Sequence, residues 1–396
     1  MRWLALCAVL AGCGDEGAIG GEVEIDVEHE VDVEHEVDDG NDIDNGNEVE
    51  NEVEQDVAAE IEVGPVAGWA LVVASYDRLE TVAGRGAQRD EGNEWRAEYE
   101  GGPATAAELS RPHIAMADAQ GRIFIADKEA HAVRRVDTDG TIHTVAGTGT
   151  PGDDGDDAAS GTTRRLSDPN GLFVLASGVV HILDTGNGKV RRLAPDGTLT
   201  TFISVPGGIA TGRGLWVAED EASAFIASGD RVLRWERVAG VRVYAGGFSD
   251  LGNLVVAPDG ELVVTDRGAH RVYRVDAAGR KTAIAGNGTT AGGGDGVAAL
   301  ESGLEEPRAV WFLPEAVGGG YLVGTHEGNQ VWYVDPDGVL HLFLDGGDGH
   351  AHAGDGQHFM TPGEKVSEVR AVTVAPSGDV LVTENDYGYV RRVLRR

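Results

Sequence analysis

Four acidic side chains recur at one place in a repeating pattern. Asp127, Asp184, Asp266 and Glu384 each close a short, β-rich apolar run. A ring of such carboxylates is chemically fit to hold a cation or a cationic ligand. An acid that returns once per repeat has a simpler use, accepting hydrogen bonds from its own turn or pairing with an arginine on the adjacent strand. A second group is His350, His352 and His358, crowded with Asp345, Asp348 and Asp355 in one glycine-rich stretch, with His341 nearby. His-x-His among carboxylates is the chemistry of a Zn²⁺ or Ca²⁺ site, although this spacing matches no zinc signature. A third candidate is aromatic. Trp95 and Tyr99 lie in a long polar stretch, where they either anchor a partner or cover the strands beneath them. No nucleophile elbow, HExxH helix, phosphate loop or dinucleotide fingerprint is present. Catalysis, if there is any, would need a metal, and no organic cofactor is called for.

The elements that must position these residues form a repeat. Val133-Arg134-Arg135-Val136-Asp137 recurs from Val190, Val232, Val272, Val331 and Val390, giving six copies. Thirteen residues after that Val stand Ala146, Ile203, Ala245, Ala285 and Leu344. Six residues before it stand Asp127, Asp184, Asp266, Thr325 and Glu384, with Ser228 four before in the third copy. A further fifteen back lie Pro112, Pro169, Arg213, Leu251 and Val369, and the fifth copy reaches Pro307 through a three-residue insertion. Constant spacings of this kind mark repeats of four short strands. In the third copy the boundaries are open, because 207–211 could also begin a strand. The sixth copy stops after its third strand, while 78–84 (RLETVAG) supplies an unclaimed fourth run at the other end. The expectation is an all-β, six-bladed β-propeller of four-stranded blades over 67–396, its last blade closed by an N-terminal strand.

The runs GRIFIADKEAHAVRRVDTDGTIHTVAGTG and GELVVTDRGAHRVYRVDAAGRKTAIAGNG, with EGGPATAAELSRP, resemble NHL-repeat propellers of the bacterial lipoprotein type. His131 and His270 fill the motif's His place, Ala130 and Ala269 replace its Asn, and Asn187 keeps the Asn before Gly188. The resemblance implies a ligand-binding or scaffolding scaffold. Some propellers of similar architecture are lyases or hydrolases with a metal held at the channel mouth by histidines from different blades. Four interblade loops are long here, at about 84–111, 147–168, 286–306 and 345–368, and loops of one face are where binding residues gather. A site on that face, with Trp95 and Tyr99 in the longest loop, is the expectation.

Ahead of the repeats, residues 1–12 read as an export signal too short to span a bilayer. Leu10-Ala11-Gly12-Cys13 resembles a lipobox, so Cys13 is the expected lipidation site. Residues 15–62 hold 21 acidic and no basic residues, with Val-Glu-His-Glu-Val-Asp duplicated at 27–32 and 33–38. Alternating valines fit a strand, but like charges would face one another across any ladder, so 13–66 reads as a disordered acidic linker. As a coil, residues 15–62 would reach about 40 Å, and at most about 170 Å extended. Of the net charge of −35, the body carries about −15, with 46 acidic against 31 basic residues. A surface of that sign repels phosphate backbones, so no nucleic acid is expected. The expected setting is a bacterial cell envelope, on the outer membrane, with the periplasmic or the surface side both open. The expected partners are the membrane and an envelope protein, peptide or glycan, with a metal-dependent lyase or hydrolase as the alternative.

Overall fold

The computed structural model describes residues 68–86, 95–347 and 349–396; the signal, Cys13 and the acidic linker lie outside the described residues. Helix α1 (Trp69–Ser75) leads into β1 (Tyr76–Ala83). Blade one is β2 (Pro112–Ala117), β3 (Ile123–Asp127), β4 (Ala132–Val136) and β5 (Ile142–Gly147). Blade two holds β6 (Ala159–Ser160), β7 (Pro169–Val174), β8 (Val180–Asp184), β9 (Lys189–Leu193) and β10 (Thr198–Ser204). Blade three is β11 (Leu215–Val217), β12 (Ser223–Ser228), β13 (Arg231–Glu236) and β14 (Gly240–Gly246). Blade four is β15 (Leu251–Val256), β16 (Leu262–Asp266), β17 (Arg271–Val275) and β18 (Lys281–Ala285). Blade five is β19 (Pro307–Phe312), β20 (Tyr321–Thr325), β21 (Gln330–Val334) and β22 (Leu340–Leu344). Blade six is β23 (Val369–Val374), β24 (Val380–Glu384) and β25 (Tyr389–Arg395), completed by β1.

All pairings within a blade are antiparallel, and each blade's first strand lies beside those of its two neighbours, closing a ring. The chain is a six-bladed β-propeller, and residues 207–211 form no strand. Apolar side chains fill the clefts between blades, and Leu109, Leu166 and Leu304 from the Leu-x-x-Pro segments are wedged there, at most 1% exposed. Helix α1 is an element that the repeat pattern did not announce. It seats Val72 in the core between blades five and six and stacks Trp69 on His341 at 5.1 Å.

The long loops do not stand free on one face. Each runs down the outer edge of the blade it precedes before returning to start that blade's inner strand. Ile142 exchanges hydrogen bonds with Gly101 and Gly102 in blade one, and β6 pairs with β10 in blade two. Leu340 is bound by Gly296 and Val297 in blade five, and Leu79 by Gly356 and Gln357 in blade six. An open strand edge invites aggregation, so the loop length expected to serve recognition is used here to satisfy edge groups. Blades three and four follow short loops and keep bare outer strands, β14 and β18. Val243 on β14 is 55% exposed and Val238 in the preceding turn fully so.

Candidate site at the mouth of the propeller axis

The repeated acids are structural. Asp127 is fully buried; its Oδ1 accepts the Ser110 N–H at 2.6 Å and its Oδ2 accepts from Arg134 Nε at 3.2 Å. Asp184 repeats this with Ser167 N–H at 2.7 Å and Arg191 Nε at 2.9 Å, and Glu384 with Ser367 N–H at 2.9 Å and Arg391 at 3.4 Å. Asp266 accepts from the Ser249 and Asp250 N–H groups. In blade three Ser228 takes over, accepting the Ala210 N–H through its hydroxyl. Burial raises the carboxyl pKa of Asp127 and Asp184 against the pull of their arginines and hydrogen bonds. With every one of these acids spent inside its own blade, they do not form a cation ring.

What the acids hold is the start of the inner strand. Arg111, Asp168, Glu306 and Glu368 all have left-handed φ of 48–56°, the first three directly before a proline, where an extended backbone is the ordinary choice. The motif histidines brace the same corner from the neighbouring blade. His131 Nδ1 accepts the Asp168 N–H at 3.2 Å, and His270 Nδ1 lies 3.4 Å from the Glu306 N. Asn329 takes the same place in blade five, its Oδ1 accepting the Glu368 N–H at 2.7 Å. These turn residues have positive φ themselves, 46–54°, which explains why a glycine serves equally well at Gly188 and Gly388.

The other sequence candidates separate. Tyr99 is buried, while Trp95 is half-buried and lies 3.7 Å from the Arg134 guanidinium, edge-on to Tyr99. The pair covers blade one, and Trp95 also forms part of the wall of an open cleft of about 960 Å³ with Glu100, Glu129 and Thr144. His350 bonds the Ser367 hydroxyl and His352 the Glu384 carboxylate at 2.5 Å, both beside Tyr387. His358 sits against Phe359 on the edge of β1. The three histidines are therefore not brought together. Among the described residues, histidines and acids converge at Glu306, His326 and Glu327 and at His326, Glu368 and Asp386, where each set has its ligand atoms within 4.8 Å.

That convergence is at the axis. A bulge at the second residue of the inner strand projects His113, Asn170, Gly252, Arg308 and Arg370 from blades one, two, four, five and six. Blade three has no such bulge in its ladder, which runs Leu215 opposite Ile226, and Gly214 O accepts the Ala227 N–H. Arg213, aligned by spacing with the prolines, thereby moves into the axial position. Residues of different blades feel one another there: the charges of Arg213 and Arg308 act on His113, and those of Arg308, Asp386 and Arg213 on His326. Burial first, then these guanidinium groups, drive the His113 pKa well below its ordinary value and the His326 pKa down to about 3. Both imidazoles are neutral at pH 7. Burial and the like charges of Arg308 and Arg267 pull Arg213 down to about 9. A cavity of about 380 Å³ opens at this mouth, lined by His113, Lys128, Asp168, Asn170, Thr211 and Arg213 among others.

Several polar atoms around it have no protein partner: His113 Nδ1, Asn170 Oδ1, Arg213 Nε and Arg370 Nε. A buried polar atom left unpaired costs about 1–3 kcal/mol, so such a concentration at one opening is a place prepared for something else.

No family model matches the chain. Among curated proteins it is 27% identical to Protein SUPPRESSOR OF QUENCHING 1, chloroplastic, of Arabidopsis thaliana, covering 48% of this chain and 22% of that one, so it spans about a fifth of that relative. Among solved structures it resembles a Bacteroides thetaiotaomicron protein of unknown function (TM-score 0.63, 14% identity, 81% of this chain and 76% of that). It also resembles an auxiliary nutrient binding protein of the same organism (TM-score 0.60, 12% identity, 81% and 77%). At these identities the likeness is one of fold: a six-bladed propeller.

Proposed function

We propose that the chain is a cell-envelope binding module of NHL-repeat lipoprotein type, which holds a polar ligand, or the end of a peptide or glycan, in the axial mouth. The observation that carries this reading is the set of unpaired polar atoms in the wall of an open cavity that holds Arg213, with the charge of Arg308 reaching it from another blade. A polar, pre-formed concavity with few convergent groups is the general form of a ligand site. The name of the nutrient-binding neighbour supports it. The attachment we propose is a lipid on Cys13; among the described residues no helix is long and apolar enough to cross a membrane. Cys13→Ser is expected to move the protein from the membrane fraction to the soluble one; retention in the membrane fraction would refute the anchor.

The alternative, a metal-dependent lyase or hydrolase, is favoured by the His326, Glu368 and Asp386 grouping. Against it, Arg370 already points a guanidinium there, 2.9 Å from His326 Nε2 and 3.7 Å from Asp386. A cation held by a side chain occupies the electrostatic role a metal would take. The test is a calorimetric screen of envelope peptides and glycans against the full chain and Thr211→Trp, which narrows the mouth from its rim. A ligand that binds the wild type and loses at least about tenfold in Thr211→Trp supports the axial site. Unchanged affinity moves recognition elsewhere, with the cleft beside Trp95 next in line. A stoichiometric metal that is lost in His326→Ala would favour the enzyme.

A further inference from the structure

Accepting the axial mouth as the ligand site, the charges around Arg213 narrow the ligand's chemistry. Every other cation facing it has an acid of its own. Arg267 is paired with Asp250, and Arg308 with Glu306. Arg370 lies 3.7 Å from Asp386, and Lys128 bonds Glu129 at 2.8 Å. Arg213 has its Nε unpaired and, among the described residues, no acid at ion-pair distance, although Asp250 and Glu306 are close enough to act on it through space. Its backbone is fixed by a close approach, since a Cβ on Gly171 would fall 2.4 Å from the Arg213 carbonyl oxygen. The side chain is thus a positioned cation, partly buried and not held in an ion pair, in the wall of a solvent-open cavity. Such a charge is costly to keep, and an incoming anion relieves that cost.

The rest of the wall sets the size of the anion's charge and what must stand beside it. Asp168 opposes a second negative charge, and the other cations are already matched, which disfavours a dianion. The buried Asn170, 7% exposed, has its Oδ1 without a donor, and His113, 5% exposed, has its Nδ1 likewise. His113 donates to the Asn170 backbone, which leaves its unpaired Nδ1 the accepting nitrogen of the neutral ring; with the Asn170 oxygen and the Asp168 carboxylate it wants N–H or O–H donors. We propose that the cavity takes a small monocarboxylate carrying a hydroxyl or amine on the neighbouring carbon. Arg213 receives the carboxylate through its planar fork, and Asn170, His113 and Asp168 accept from the adjacent donor.

The test is calorimetry on the full chain with gluconate and L-alanine as the hydroxy and amino forms. Gluconamide removes the charge, acetate removes the donor, and inorganic phosphate supplies a different anion. Gluconate or L-alanine is expected to bind, the one that does naming the donor, with gluconamide and acetate much weaker. Arg213→Gln is expected to weaken that binding by at least about thirtyfold. Without ligand, Arg213→Gln is expected to melt no lower than the wild type, because it deletes an unmatched charge; a lower melting temperature would make Arg213 structural and overturn the proposal. Failure of both carboxylates to bind, phosphate or gluconamide matching them, or wild-type affinity in Arg213→Gln would each overturn it as well. A screened ligand that is sensitive to Thr211→Trp but indifferent to Arg213→Gln would leave the mouth as the site and remove only the carboxylate.

Discussion

Asp127→Ala is expected to cost about 3–5 kcal/mol of unfolding free energy, the range for breaking a buried ion pair from one side. Arg134 is 2% exposed and has three supports: the Asp127 carboxylate, the Thr144 hydroxyl and the face of Trp95. Its Nη2 is already without a partner. Taking the carboxylate away leaves a guanidinium charge in the cleft between strands and loop, and also orphans the Ser110 N–H. The inner strand of blade one would then lose the bond that keeps Arg111 in its left-handed conformation. Guanidinium unfolding followed by fluorescence measures the loss. The double variant Asp127→Ala/Arg134→Met removes both charges and should recover most of it, the signature of a coupled pair. A single-variant loss below about 1 kcal/mol, or a double variant no better than the single, would show that the pair does not hold the blade.

This pair also shows what the sequence made legible and what it hid. Spacing identified six blades because identical slots carry similar residues, and similarity is what a repeat search detects. Asp127, Asp184, Asp266 and Glu384 recur because an acid that satisfies the same backbone corner must return with each blade. The axial slot has the opposite character. His113, Asn170, Arg213, Gly252, Arg308 and Arg370 occupy one structural position with a histidine, an amide, a glycine and three arginines, so no one residue type marks it in the spacing. Arg213 was further disguised by the missing bulge of blade three, which shifts it by one residue against the other copies. The loops misled for a physical reason. Loop length alone does not mark recognition, because four blade edges each need a partner for their backbone groups and these loops supply it.

A chain that begins at Gly86 is expected to fail to fold as a soluble monomer. The strand β1 is distant in sequence from the blade it completes, and it runs from Tyr76 opposite Arg395 to Ala83 opposite Val390. Tyr76, Leu79 and Ala83 are fully buried; Tyr76 packs edge-on to Phe343 at 5.7 Å and donates to the Gly378 carbonyl at 3.1 Å. Burying a Leu or an aromatic ring is worth about 1.5–3 kcal/mol each, so the strand supplies a sum comparable to the about 5–15 kcal/mol that holds a domain folded. Removing it also bares β25 along its length and strips the partner of the 345–368 loop, which docks on Leu79. Two faults would then coincide, a ring without its clasp and a long unpaired edge, and the expected outcome is aggregation. A synthetic peptide covering 68–86, added during refolding, should restore a soluble, cooperatively melting protein, because strand addition to an open edge needs only the backbone register and the buried side chains. Circular dichroism melting and size-exclusion chromatography read both results. If the shortened chain is monomeric and melts at the wild-type temperature, β1 is an accessory strand and the ring is held by its inner strands alone.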